Sequence, residues 1–217
     1  MGGLCVIIRK ERKTNRQENT MNTLKAIMTR RSTRKFTRRA TEQDKLDKII
    51  EAGRYAPSGG NNQSCHFIVV RSKEALHKLA VLAEKAFAKM EITDNMYRSM
   101  ANSVRMSKKG GYVFHYNPAC LIIVANVKDY SNNIADTACA IENMMIAANE
   151  LDLGSVWINQ LKWLNEDPDL LLFEQALGLD DGERVYGALA VGYADTEDGL
   201  PNRVTLERTG NEVTYVD

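Results

Sequence analysis

Apolar residues recur at helical spacing in "MNTLKAIMTRR", where Leu24, Ile27 and Met28 share one face of a short amphipathic helix. That helix runs out at the arginines. A second helix is expected in "EQDKLDKIIEAGRYA": Thr41, with Asp44 three residues on, resembles a capping box. Leu46, Ile49 and Ile50 form its buried face, and it ends before Pro57. "HFIVVR" is short, apolar and rich in β-branched residues, which predicts a buried strand. Residues 72–109 carry two helical patterns broken near Thr93-Asp94, and their Met and Lys content suggests a partly exposed cap.

"ACLIIVANV" is the most strand-like run of the chain. In "IADTACAIENMMIAANELDLG", small and apolar residues occupy almost every helical face, and Gly154 stands where a C-cap is expected. A helix apolar all round must be covered all round, which points to a central helix or a subunit interface. "SVWI" predicts a short strand, "NEDPDLLLFEQALGL" a helix with an Asn cap and Pro in its first turn, and "ERVYGALAVGYA" a long central strand. The tail from Asp195 is polar, with weak strand patterns near Val204 and Val213. Helices and strands mix without strict alternation, so the expectation is one α+β domain over residues 21–217.

Residues 1–20 lack apolar periodicity, and "RKERKTNRQENT" reads as solvated chain. They are expected to lie outside the domain as a disordered or mis-called extension, with Met21 as the natural start. Lys and Arg total 29 against 28 Asp and Glu, so no general charge favours nucleic acid or an anionic membrane. No apolar run approaches the roughly 20 residues of a membrane span. Cys5, Cys65, Cys120 and Cys139 show no paired spacing, and are expected to be reduced thiols of a cytoplasmic protein, mostly filling core. His66, His77 and His115 form no zinc-type pair, so no metal is expected.

Against that neutral background, "TRRSTRKF" at 29–36 is a local concentration of cations and hydroxyls. One reading is a solvated helix end, favoured by the macrodipole. The other is a phosphomonoester site, since phosphate takes bidentate Arg with hydroxyl or backbone donors. "APSGGNNQ" is a turn by composition, yet its amides could read the edge of a flat heterocycle while its glycines allow close approach. Gly154-Ser155, on spacing alone, is a C-cap leading into a strand, and Arg203 in "GLPNRV" is by default a surface residue. No nucleophile elbow or P-loop occurs, so any chemistry is expected to come from a cofactor.

In order and spacing, "RRSTRKF", "APSGGNNQ", "ADTACAIENMMIAANELDLGSVWI" and "GYADTEDGLPNR" together resemble the FMN-dependent nitroreductase family, from about Met21 onward. The resemblance implies a mostly antiparallel central sheet surrounded by helices, in an obligate homodimer with an extended C-terminal arm. It implies FMN bound at the subunit interface and NAD(P)H as electron donor. Arg30 and Ser32, with Arg31, would hold the phosphate and ribityl chain, joined by Arg203, while Arg34 would lie by the pyrimidine edge. Pro57, Ser58, Gly59, Asn61 and Gln63 would contact the flavin held mainly by the other subunit. Gly154 and Ser155 would present backbone to the ring. Ser64-Cys65 stands where the family often has Pro-Trp. The implied activity is ping-pong reduction of nitroaromatic, quinone or related acceptors, with no obligatory catalytic side chain. Reductive dehalogenation or flavin breakdown on the same fold, and a non-catalytic flavin redox sensor, are the alternatives.

Overall fold

The computed structural model describes residues 22–216, so the expectations for residues 1–20, for Met21 and for Cys5 lie outside the described residues. The chain runs α1 (Thr23–Thr29), α2 (Gln43–Arg54), β1 (His66–Val70), α3 (Lys73–Ala88), α4 (Arg98–Lys109) and β2 (Cys120–Val127). It continues through α5 (Asn133–Glu150), β3 (Gly154–Ile158), α6 (Gln160–Trp163), α7 (Pro168–Ala176) and β4 (Glu183–Gly192). The strands form one antiparallel sheet in the order β1-β2-β4-β3. This is the expected α+β architecture.

The period-2 alternation of β2 builds two cores. Cys120, Ile122 and Val124 pack with Leu46 and Ile49 of α2 and Ile141, Met144, Met145 and Ala148 of α5. Leu121, Ile123 and Ala125 point the other way, into a core closed by α3, α4, α6 and α7. Gly187 of β4 is what lets α5 sit so near the sheet, because a Cβ there would meet Ile141 Cδ1 at 2.6 Å. Among the described residues β1 pairs only with β2, so it is an edge strand, and Val69 is exposed rather than buried as expected.

Local chemistry differs from expectation at several points. Thr41 does not cap α2: its hydroxyl is buried without a partner, and Glu42 occupies the cap position. The Glu42 carboxylate instead accepts from the Tyr193 hydroxyl (2.7 Å) and from Arg39 (2.7 Å). Tyr193 chiefly, then the other hydrogen bonds, holds its pKa down at about 2. Asn165 does not cap α7, because its side chain is taken by the N–H and carbonyl of Val185 (3.0 and 2.8 Å). Asp167 caps it, accepting from Leu170 N at 3.1 Å.

Gly154 is not the C-cap of α5. Asp152 takes the left-handed position (φ 62°), and Leu153 N donates to Ala148 O at 2.8 Å in a Schellman-type closure. The weak patterns near Val204 and Val213 form no strand, since among the described residues no partner strand lies beside them. Cys120 fills core as expected and Cys65 is half-buried, whereas Cys139 is exposed.

Candidate functional site

The cationic stretch leaves α1 and runs along the ends of two strands. Ser32 bridges Ser155, Thr33 N donates to Ser155 O (2.9 Å), and Phe36 bridges Ala194. Asp195 N donates to Lys35 O at 3.0 Å, so both ends of the segment are held by the sheet. Strand-like alternation then sends neighbouring side chains to different places.

Arg30 and Arg203 meet around the C-terminal half of α5. Arg30 Nε lies 3.9 Å from Glu142 and is buried without a hydrogen-bond partner. Asn149 donates to the Ala26 carbonyl (3.0 Å), which also accepts from Arg30 N, and its Oδ1 accepts from Arg203 Nε at 3.1 Å. Arg203 also pairs with Asp152 at 2.6 Å and donates to the Asn149 carbonyl. Arg31 folds back on the end of α1, donating to the carbonyls of Arg30 and Met28, with its Nε left buried and unpartnered. Ser32 is exposed beside them.

Arg34 faces elsewhere. With Lys35, Phe36 and Asp195 it lines a cavity of about 650 Å³ whose other walls are α4 (Ser99, Asn102, Met106) and the loop to Asn117. At its base, Tyr112 Oη accepts from Gln160 Nε2 (3.0 Å) and shares a hydrogen bond with Ser103 Oγ (2.9 Å). Burial, foremost, raises the Tyr112 pKa, so the phenol stays protonated at neutral pH. Sequence reasoning missed this polar triad, although Gln160 directly follows the apolar run "SVWIN".

The loop residues Pro57, Ser58, Asn61 and Gln63 line a second cavity of about 530 Å³, with Arg54, Tyr55, Cys65, Phe67 and Asp136. Gly60, Asn61 and Gln63 are left-handed (φ 59°, 56° and 51°), and the Ser58 hydroxyl accepts from Gln63 N at 3.0 Å. Gly59 turns away from this cavity toward α5. Its N–H donates to Asp136 Oδ1 (3.0 Å) and its carbonyl accepts from Tyr130 (3.1 Å). A Cβ on Gly59 would meet Asn132 Nδ2 at 2.1 Å, which is why a glycine stands there. Burial raises the Cys65 pKa, so this thiol is not a poised thiolate.

Gly154 and Ser155 join neither cavity. Both are buried under the cationic stretch, and a Cβ on Gly154 would meet Thr33 Oγ1 at 2.6 Å. The glycine serves close packing of that stretch on β3. Among the described residues, one group of metal-ligating type does come together: His66, Asp180 and Glu183.

A helix-flanked antiparallel sheet with a cationic stretch bridged to its strand ends defines an α+β protein. The model of the nitroreductase family matches residues 27–193, and the chain belongs to this family of enzymes. Among solved structures, it is similar to a nitroreductase with bound FMN from Bacteroides fragilis. Identity is 33%, TM-score 0.77, over 90% of this chain and 100% of that one. A nitroreductase with bound FMN from Desulfitobacterium hafniense is 25% identical, with TM-score 0.74, over 91% of this chain and all of that one. A protein of Archaeoglobus fulgidus, provisionally named an NADH dehydrogenase/NAD(P)H nitroreductase, is 29% identical over 80% of this chain and 86% of its own length. No helix among the described residues is long and apolar enough to cross a membrane.

Proposed function

We propose that the chain binds FMN and works as an NAD(P)H-dependent oxidoreductase on nitroaromatic, quinone or related small acceptors. The observation that carries this reading is the pair of buried guanidinium nitrogens, Arg30 Nε and Arg31 Nε, without hydrogen-bond partners among the described residues. Buried polar groups are normally satisfied, and guanidinium N–H groups left without hydrogen bonds beside an exposed hydroxyl suit a phosphomonoester. The residues present therefore fit the cofactor seen in the structural relatives.

In this reading Arg30 and Ser32 hold the phosphate, and Arg203, braced by Asn149 and Asp152, completes the cationic edge. Arg31 adds positive potential from the end of α1. Arg34 directs a cation into the larger cavity, where it favours negative charge on a bound ring. FMN held by these residues would supply the redox chemistry, hydride acceptance from NAD(P)H and electron delivery to the acceptor in a ping-pong sequence. No side chain need act as acid or base for that exchange.

The same reading makes the protein a homodimer, with the 57–63 loop of each chain completing the site of the other. Leu24, Ile27 and Met28 of α1 are exposed, as are Val204, Leu206, Val213 and Tyr215 of the C-terminal arm. So many uncovered apolar residues suit a subunit interface. The test is direct. Purified protein should be yellow, bleach anaerobically with NADH or NADPH, and recover its colour with a nitroaromatic or quinone. Colourless protein that FMN fails to reconstitute would refute the proposal.

A further inference from the structure

We propose that His66, Asp180 and Glu183 form a binding site for a divalent transition-metal ion, Zn²⁺ or Co²⁺ in chemical class. One ligand atom from each residue lies within 4.8 Å of the other two. Ligands at the usual metal distance of roughly 2.0–2.2 Å stand about 3–4 Å apart, so small adjustments bring the three onto one ion. His66 Nδ1 is already 2.7 Å from Glu183 Oε2 and must open slightly to admit it. One imidazole nitrogen with two carboxylates favours a transition metal over Mg²⁺ or Ca²⁺, which take oxygen alone.

The site is built by rigid parts. His66 opens β1, Glu183 opens β4, and the strand between them, β2, fixes their separation. The turn that carries Asp180 is pinned from three sides. Glu183 N donates to Asp180 O (3.0 Å), Lys128 N to Gly182 O (2.8 Å), and Gln175 to Asp181 (2.9 Å). Asp180 N donates to Glu183 Oε2 at 3.2 Å, orienting the carboxylate as outer partners of metal ligands do.

Two carboxylates beside one imidazole also leave room for a cation. The Glu183 side chain is only 12% exposed, and Asp180 brings a second carboxylate beside it. Arg184 and Lys128 both pair with Glu166 (3.2 and 3.4 Å), and Arg184 reaches only the backbone carbonyls of Asp181 and Glu183, not their carboxylates. An ion here would tie the start of β1, directly after the 57–65 loop, to the turn before β4. The site would then brace the exit of the loop that lines the smaller cavity.

The experiment titrates the full chain, freed of metal by chelator and dialysis, with Co²⁺. Visible absorption reports binding, and Zn²⁺ follows as competitor. One Co²⁺ per chain is expected, displaced by Zn²⁺, together with a rise in thermal midpoint under excess Zn²⁺. His66→Ala should weaken binding by more than about a hundredfold, beyond the roughly 10- to 100-fold that outer partners cost. Asp180→Asn, at an exposed side chain, leaves the fold intact and should weaken it by at least about tenfold. No absorption and no thermal shift in the wild-type chain would show that His66 and Glu183 form a hydrogen-bonded pair only, and would overturn the proposal. Co²⁺ binding undiminished in both variants would overturn it equally. Flavin absorption is read on the same samples, so failure of the metal site and failure of the flavin reading are told apart.

Discussion

The two helical layers on either side of the sheet solve the same packing problem in different ways. The layer of α3, α4, α6 and α7 closes on itself around Leu79, Phe87, Val104, Phe114 and Leu170. Its most deeply buried carboxyl, Glu174, has neither oxygen hydrogen-bonded, and burial raises its pKa to about 8. The layer of α1, α2 and α5 buries one side just as fully, through Ile141 and Met144, but leaves the other open at Leu24, Ile27 and Ile134. Its buried carboxyl, Asp136, is put to use holding Gly59. The first layer also exposes Leu172 of α7, but the second gathers most of its exposed apolar residues on α1, the face that the proposed dimer would cover.

The strongest way to break that contrast is to charge the open layer. Leu24→Glu alters a side chain 70% exposed in the single chain, where a surface change costs within about 0.5 kcal/mol. In the proposed dimer the same charge is buried unpaired and costs on the order of several kcal/mol. Light scattering and flavin absorbance should then show dissociation and loss of flavin together. A flavin-loaded variant of unchanged size would mean that α1 faces solvent. Ile141→Asp is no substitute for this test: Ile141 is fully buried in the chain's own core, so that change would unfold the domain.

The closed layer should answer to pH instead. Glu174 keeps its proton in the folded state up to about 8, against an ordinary value of 4.5 in the unfolded chain. The stability it contributes is therefore full below the unfolded value and is lost as pH rises through the folded one. The effect amounts to on the order of a few kcal/mol. Glu174→Gln removes the titration, so denaturant melts of the variant should lose much of the decline between those two pH values. An identical pH profile for both proteins would place the proton elsewhere.

Arg30→Ala sharpens the open layer's role. A charge-assisted contact to phosphate is worth about 1.5–3 kcal/mol, or roughly ten- to a hundredfold in affinity. Fluorescence titration should show that loss for FMN and little of it for riboflavin, which has no phosphate. An unchanged preference between the two would reduce the stretch at 29–36 to a basic helix end.

Much of the fold was legible because long apolar periods are local signals. β2, β4, α3 and α5 follow from residues that touch within one element or its neighbour. The errors fall where a distant residue outcompetes a local rule. Thr41 has the right spacing to cap α2, but the chain there is held by Tyr193, which binds Glu42 from the far end of the sheet. Gly154 has the right residue type for a helix end, yet its lack of a side chain serves Thr33. The cationic stretch and the loop could be read because each is contiguous. The Tyr112–Gln160–Ser103 triad and the His66–Asp180–Glu183 group could not, since their members come from remote segments that only the folded sheet brings together.

The smallest expected effect concerns the division of labour within the cationic stretch. Arg30 turns toward α5 and Arg34 toward the larger cavity, so the two should fail differently although they are four residues apart. If Arg34 lies beside the flavin ring, Arg34→Ala removes a cation that both FMN and riboflavin feel. Both affinities should fall by the same factor, below about tenfold, because an exposed charge is screened by solvent. The cation also favours the more negative of the two redox forms, so its loss should lower the reduction potential, while Arg34→Lys should restore most of the difference. A phosphate contact would behave otherwise, weakening FMN selectively and leaving the potential alone. Selective loss of FMN in Arg34→Ala would therefore move the phosphate into the larger cavity and reverse the roles assigned to the two arginines.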